Sequence, residues 1–195
     1  MTLPAPIGVT IGRTVAINPA VWERHRGETW FGLDQPSLRV VAQGLVPLED
    51  GSFVHRFYSE DEIMLQLLSG RVDGADAREA TVFHSLAVAP AWDPNFQASM
   101  SRATFHHADA VYGRAWFEGN DLDQPPVLLH ETVHEDLSGR PARQVDQLCM
   151  LYARPLPAGG NELLLALEMP GTAGAPPHQE VMVGLELTPA DIRIS

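Results

Sequence analysis

The chain has 195 residues, of which 45% are hydrophobic, and it carries 13 arginines, no lysine and 25 acidic residues, for a formal net charge of −12. This length predicts a single domain over residues 1–195 with its own core. The acidic balance argues against nucleic acid or an anionic membrane as a partner and favours a protein with a basic surface. Without lysine, the chain has neither the amine of Schiff-base catalysis nor the phosphate-binding lysine of a P-loop.

The distribution of apolar residues along the chain indicates in which cellular compartment the protein is expected. The first fifteen residues lack the charged start, apolar run and small-residue cleavage site of an export signal. No apolar stretch approaches the roughly 20 residues that span a bilayer. We therefore expect a cytoplasmic protein that does not insert into membranes. The single cysteine, Cys149, lies in an apolar run and is expected to behave as a small buried hydrophobic residue.

Short apolar segments separated by Gly, Pro, Asp and Asn, many of them alternating with polar residues, predict antiparallel strands. In chain order, strands are predicted at residues 38–46, 52–58, 63–68, 81–86, 111–117, 127–133, 145–154, 162–167 and 181–187. Nine strands would fill one large sheet or two packed sheets. The predicted fold class is α+β, with a predominantly antiparallel β-sheet and one or two short helices.

Two segments carry helix signals. Ser59 and Glu62 have the spacing of a capping box, but the alternation of the preceding strand favours an acidic hairpin turn at this place. In residues 90–100, Asp93 as N-cap with Pro94 at the first helical position predicts a short helix. Turn-forming residues stand at 49–51, 119–120 and 159–160, and a loop is predicted at 170–177.

The segment 45–68 reads LVPLEDGSFVHRFYSEDEIMLQLL and resembles the YjfK-like proteins, an uncharacterised bacterial family. Further segments follow in the order of that family at residues 81–84 (TVFH), 112–116, 131–136 and 147–154 (QLCMLYAR). The resemblance implies a cytoplasmic protein without assigned catalytic residues, encoded near phage-shock-protein-A-like membrane-remodelling proteins and ATP-grasp-like enzymes. The chain departs from the family pattern in a shorter, proline-containing stretch at 92–103 and at His134, where an aromatic side chain is expected.

One motif indicates catalytic chemistry. Residues 130–134 match H-E-x-x-H, in which His130 and His134 would hold zinc while Glu131 activates the metal-bound water. The motif requires a helix, whereas the β-branched residues within it and the shortness of the segment favour a strand. On a strand the two histidines share one face and Glu131 points to the other. A zinc-dependent hydrolase is therefore the alternative hypothesis.

The densest acidic cluster comprises Glu60, Asp61 and Glu62. Such a cluster is either a solvated turn or a docking site for an arginine- or lysine-rich patch on a partner protein. The leading hypothesis is a non-enzymatic accessory or adaptor protein of a bacterial membrane-stress gene cluster that acts through protein contacts. No cofactor is expected, and formation of a homo-oligomer stays open.

Overall fold

The structure, a computed structural model, describes residues 3–88, 93–117, 119, 121–171 and 177–195. These residues form thirteen strands and two short helices, α1 (Ala20–Glu23) and α2 (Phe96–Ser101). The strands are β1 (Thr14–Ile17), β2 (Ser37–Arg39), β3 (Ala42–Pro47), β4 (Phe53–Tyr58), β5 (Ile63–Ser69), β6 (Glu79–Val88), β7 (Thr104–His107), β8 (Ala110–Arg114), β9 (Val127–His134), β10 (Arg143–Pro155), β11 (Asn161–Met169), β12 (His178–Leu187) and β13 (Ile192–Ile194). The expectation of an antiparallel, β-dominated fold with one or two short helices is confirmed.

Eight of the strands close into an antiparallel barrel, whereas the sequence predicted one large sheet or two packed sheets. The strand order around the ring is β3-β4-β5-β6-β12-β11-β10-β9, and β9 returns to pair with β3. Closure leaves these eight strands without a free edge. Alternate side chains point inward and form an apolar core that includes Val46, Val54, Met64, Phe83, Leu129, Cys149, Leu165 and Met182.

Two further layers cover the outside of the barrel. The small sheet β13-β1-β2 buries Val15, Ile17 and Leu38 against outward-facing residues such as Phe57 and Leu65. On another side, the β7–β8 hairpin and α2 pack over β10 and β11. Because of these layers, several barrel strands are buried on both faces.

The predicted strand at 38–46 is in fact two strands that belong to different sheets. The amide of Val40 donates a hydrogen bond to the carbonyl of Arg13, beside the small sheet, whereas the amide of the next residue, Val41, donates to Tyr58 in the barrel. The chain therefore changes sheets at this point. Local hydrophobicity does not reveal such a change, because the residues on both sides of it are equally apolar.

Other predictions are confirmed or corrected in detail. A short helix is present in the predicted segment, but it begins at Phe96 and its N-cap is Asn95, so the prediction of Asp93 as N-cap was wrong. The side chain of Asp93 instead accepts a hydrogen bond from the amide of Asn95. Parts of the predicted helix, turn and loop fall at 90–92, 120 and 172–176, which lie outside the described residues.

In the portion of the chain that the structure describes, no helix combines the length and the apolar character needed to cross a membrane.

The N-terminal segment is anchored to the barrel by Glu162, a fully buried residue at the start of β11. One carboxylate oxygen accepts hydrogen bonds from the hydroxyl of Thr29 and the amide of Trp30, each at 2.6 Å, and from the amide of Phe31 at 3.3 Å. The other oxygen accepts from the Tyr112 hydroxyl at 2.9 Å and from Arg154 Nε at 2.6 Å. A single carboxylate thus joins the N-terminal segment, β8, β10 and β11.

His55 is a buried histidine on the outer face of β4, and neither of its ring nitrogens has a hydrogen-bond partner among the described residues. Burial lowers the pKa of His55 below its ordinary 6.5, although the backbone of Arg71 and the charge of Asp73 act in the opposite direction. The unfolded chain therefore takes up a proton at this histidine at a higher pH than the folded chain does.

We expect this difference to make the folded state less stable as the pH falls below about 6.5, with a slope of up to about 1.4 kcal/mol per pH unit. Urea unfolding of the wild-type protein and of His55→Leu at pH 7.5 and at pH 5.5 measures the effect. The substitution should reduce the loss of stability between the two pH values, because the other histidines contribute equally to both proteins. An identical pH dependence in the two proteins would contradict a neutral, buried His55.

Candidate functional site

A cavity of about 330 Å³ opens at one end of the barrel, between the β4–β5 turn and the first residues of β10 and β12. This volume is at the lower end of the range of ligand pockets, and barrel mouths are among the places where such pockets occur. The apolar residues in the walls of the cavity are Ile63, Met64, Val133, Val145, Leu167, Met169 and Met182. Glu62, Arg143 and Glu180 line its outer part, and a set of buried polar residues forms its floor.

The floor is built around an ion pair between Arg56 and Glu131, whose side chains are 2% and 0% exposed. Arg56 Nη1 donates to Glu131 Oε2 at 3.1 Å and to Gln147 Oε1 at 2.7 Å, and its Nε donates to Gln66 Oε1 at 3.1 Å. Glu131 also accepts from Gln147 Nε2 and from the Tyr58 hydroxyl, both at 2.6 Å. The two buried charges therefore compensate each other inside a hydrogen-bonded network.

The members of this network lie on four strands, β4, β5, β9 and β10, and a glycine on β3 makes room for the central ion pair. Arg56 lies on β4 and Glu131 on β9, and β3 runs between these strands with Gly44 paired opposite Arg56. A Cβ atom at Gly44 would overlap the carboxylate of Glu131. Glycine is therefore required here because only a residue without a side chain allows the carboxylate to cross β3.

Burial and nearby charges determine the protonation states of Tyr58 and Arg56 in the network and of Cys149 beside it. Burial and the adjacent Glu131 carboxylate raise the pKa of Tyr58, so its hydroxyl keeps its proton and donates to that carboxylate. Burial opposes the charge on Arg56, but the oxygens of Tyr58 and Glu131 outweigh it and raise the guanidinium pKa. Burial also raises the pKa of the Cys149 thiol to about 11. The expectation that Cys149 is buried is confirmed, and its thiol is unreactive at neutral pH.

The predicted acidic cluster borders the cavity. Glu60, Asp61 and Glu62 form the β4–β5 turn and are exposed, and the turn closes through a hydrogen bond from the amide of Ser59 to the carbonyl of Ile63 at 3.0 Å. The hairpin turn is thus confirmed over the capped helix. Since Glu62 also lines the cavity, the acidic turn is part of the cavity's rim.

The H-E-x-x-H segment lies on β9, with its two histidines and its glutamate on opposite faces as a strand requires. His130 is exposed on the outer face and its Nδ1 lies 2.7 Å from Asp146 Oδ1, while His134 Nδ1 lies 3.1 Å from the carbonyl oxygen of Arg140. Glu131 points into the barrel. Among the residues that the structure describes, no group of three or more His, Cys, Asp and Glu side chains could hold a metal ion. The geometry differs from that of the helical zinc signature.

The sequence alone does not predict that Arg56, Gln66 and Gln147 belong to a site. A signal for the charged pair is present in the alternation of the strands. Arg56 shares a face with Val54, and Glu131 shares a face with Leu129 and Val133, so each charge stands alone on an apolar face. Two isolated charges of opposite sign on apolar faces of different strands indicate a buried pair.

Comparison with known proteins places the chain in a family. A search of curated proteins found no match, and a search of solved structures found none either. A family model described as "Protein of unknown function (DUF2491)" matches residues 1–193. Because this match covers nearly the whole chain, the protein belongs to the DUF2491 family.

Proposed function

We propose that the protein is a non-enzymatic accessory or adaptor protein that binds a basic segment of a partner protein at the mouth of its barrel. The observation that carries this proposal is the position of the acidic turn, residues 60–62, on the rim of an apolar cavity. The combination supplies both a charge that attracts a basic partner and a recess that a bound segment can enter.

Charge at the rim supports a basic partner. Glu62 and Glu180 line the cavity, and Glu60 and Asp61 stand exposed beside it. Arg143 also lines the cavity but is paired with Glu135. Together with the net charge of −12, these carboxylates favour encounter with a positively charged surface and make binding sensitive to salt.

The chemistry of the floor supports binding over catalysis. The Glu131 carboxylate is fully buried and accepts hydrogen bonds from Arg56, Gln147 and Tyr58, so the network occupies three of its roughly four acceptor positions. A general base needs a free lone pair within reach of a substrate proton. The buried charges therefore hold the shape of the cavity.

The family resemblance supports a partner that is encoded near the gene of this protein. Residues 45–68 resemble the bacterial YjfK-like proteins, whose genes lie near those of phage-shock-protein-A-like membrane-remodelling proteins. We extend the proposal to a cytoplasmic role in a bacterial membrane-stress gene cluster, in which the basic segment belongs to the product of a neighbouring gene.

Site-specific cross-linking in the native host tests the proposal. A photoreactive amino acid at Asp61, on the rim, is expected to capture a partner through a basic segment. The same amino acid at Glu49, in the exposed turn between β3 and β4 at the opposite end of the barrel, is the control and should not capture it. Absence of a specific adduct at Asp61 would count against the proposal.

The purified partner then allows the charge requirement to be measured. Neutralising Glu60, Asp61 and Glu62 as Gln, Asn and Gln should weaken binding by roughly 10-fold at low salt and reduce its salt dependence. The matched control neutralises three exposed acids outside the rim, Asp34, Glu49 and Asp121. An equal effect of both triple variants would show that net charge alone governs binding, which contradicts a site at the rim.

A further inference from the structure

We infer that the cavity holds one large apolar side chain of the partner, such as phenylalanine, leucine or methionine, and that arginine or lysine residues flank this anchor. The inference rests on the proposed function and states what its binding site recognises. It is carried by the contrast between the apolar walls of the cavity and the acidic rim around them.

The walls determine the chemistry of the anchor. Ile63, Met64, Val133, Leu167 and Met182 are buried apolar residues, or nearly so, and they leave about 330 Å³ between them. An apolar side chain that enters this space loses its contact with water and gains contacts with these walls. Three of the lining residues are methionines, and their flexible side chains adapt to anchors of different shape.

The floor excludes a charged anchor. Arg56 and Glu131 neutralise each other at 3.1 Å, so the floor presents no net charge to an entering group. A carboxylate or ammonium group carried to this depth would lose its hydration without a counter-charge of its own. The charged residues of the partner therefore stay at the mouth.

The rim determines what flanks the anchor. Glu62, on the β4–β5 turn, and Glu180, on the first part of strand β12, line the cavity from two different elements of the barrel. A segment that inserts its anchor between them brings the preceding and following residues close to carboxylates. Basic residues at those places complement the charge of the rim.

Two short peptides serve as probes of this arrangement. They have the form Arg-Arg-X-Arg-Arg with blocked ends, and X is either phenylalanine or alanine. Fluorescence polarisation should show that the phenylalanine peptide binds at least about 10-fold more tightly, because only its side chain fills the cavity.

Methyl NMR of methionine-labelled protein reports where the anchor goes. The phenylalanine peptide should shift the methyl signals of Met64, Met169 and Met182, which line the cavity. Met100 and Met150 belong to the separate core under α2 and serve as internal controls whose signals should stay in place.

A cavity-filling variant gives an independent measurement. Met182→Trp should bring the preference for phenylalanine over alanine below roughly 3-fold, while Met150→Leu, outside the cavity, should keep it. If Met182→Trp fails to fold, the NMR comparison on the wild-type protein still decides the question.

The outcomes separate this inference from the proposed function. If both peptides bind equally, the cavity methyl signals stay in place and neutralisation of residues 60–62 still weakens binding, the apolar anchor is wrong and the acidic docking site stands. If neither peptide binds at about 1 mM, the acidic docking site itself is wrong.

Discussion

Arg56→Met is expected to destabilise the protein by about 3–5 kcal/mol, because it leaves the carboxylate of Glu131 buried without its counter-charge. The pair is almost fully buried, and Arg56 also donates hydrogen bonds to Gln147 and Gln66. Methionine fills much of the space of the arginine stem but supplies none of these donors. Urea unfolding at pH 7 measures the loss.

The double variant Arg56→Met with Glu131→Gln separates the charge effect from the loss of packing. Glutamine removes the buried charge and still accepts a hydrogen bond from the Tyr58 hydroxyl, which lies 2.6 Å from Glu131 Oε1. We therefore expect the double variant to be more stable than the sum of the two single losses predicts, by about 1–3 kcal/mol. Strictly additive losses would mean that the two charges do not depend on each other.

An exposed ion pair of the same chain is the matched control for this experiment. Arg78 lies 3.8 Å from Asp76, and their side chains are 71% and 38% exposed. Arg78→Met should change the free energy of unfolding by less than about 1 kcal/mol, because water already solvates both groups. A loss as large as that of Arg56→Met would show that burial is not the cause.

Glu162→Gln is expected to cost about 3 kcal/mol or more and to loosen the N-terminal segment from the barrel. Both oxygens of this buried carboxylate accept hydrogen bonds, three on one side and two on the other. The amide group of glutamine would turn one acceptor into a donor that faces other donors. The charge of Arg154 would also lose its partner.

Hydrogen exchange distinguishes this local effect from a general loss of stability. The amides of Trp30 and Phe31, which donate to Glu162, should exchange faster in the variant under conditions where the barrel strands remain protected. Glu186→Gln, at an exposed position on β12, is the control and should leave both stability and exchange unchanged. Equal protection of Trp30 and Phe31 in wild type and Glu162→Gln would refute the anchoring role.

The alternation of apolar residues predicted the long barrel strands, yet it missed β1, β7 and β13. Each of these strands has only three or four residues, and β1 pairs with β13 at the other end of the chain. Segments so short contain too few alternating positions to give a signal, and they become strands only because a paired strand completes their hydrogen bonds. That partner is far along the chain for β1 and β13, whereas β7 pairs with the adjacent β8. The break between β2 and β3 escaped prediction for another reason, because Val40 and Val41, which stand on either side of it, are equally apolar.

By itself, the sequence predicted antiparallel strands and favoured an acidic turn over a capped helix at residues 60–62. It also favoured a strand at residues 127–133, on which His130 and His134 share one face and Glu131 points to the other. These features depend on local alternation and turn chemistry, which adjacent residues decide. The tertiary structure alone decided that eight strands close into a ring and that Arg56 meets Glu131, 75 positions further along the chain. The alternation of apolar and polar residues predicts on which face of a strand a side chain lies. The register between distant strands decides which charged side chains meet and which residues line the cavity.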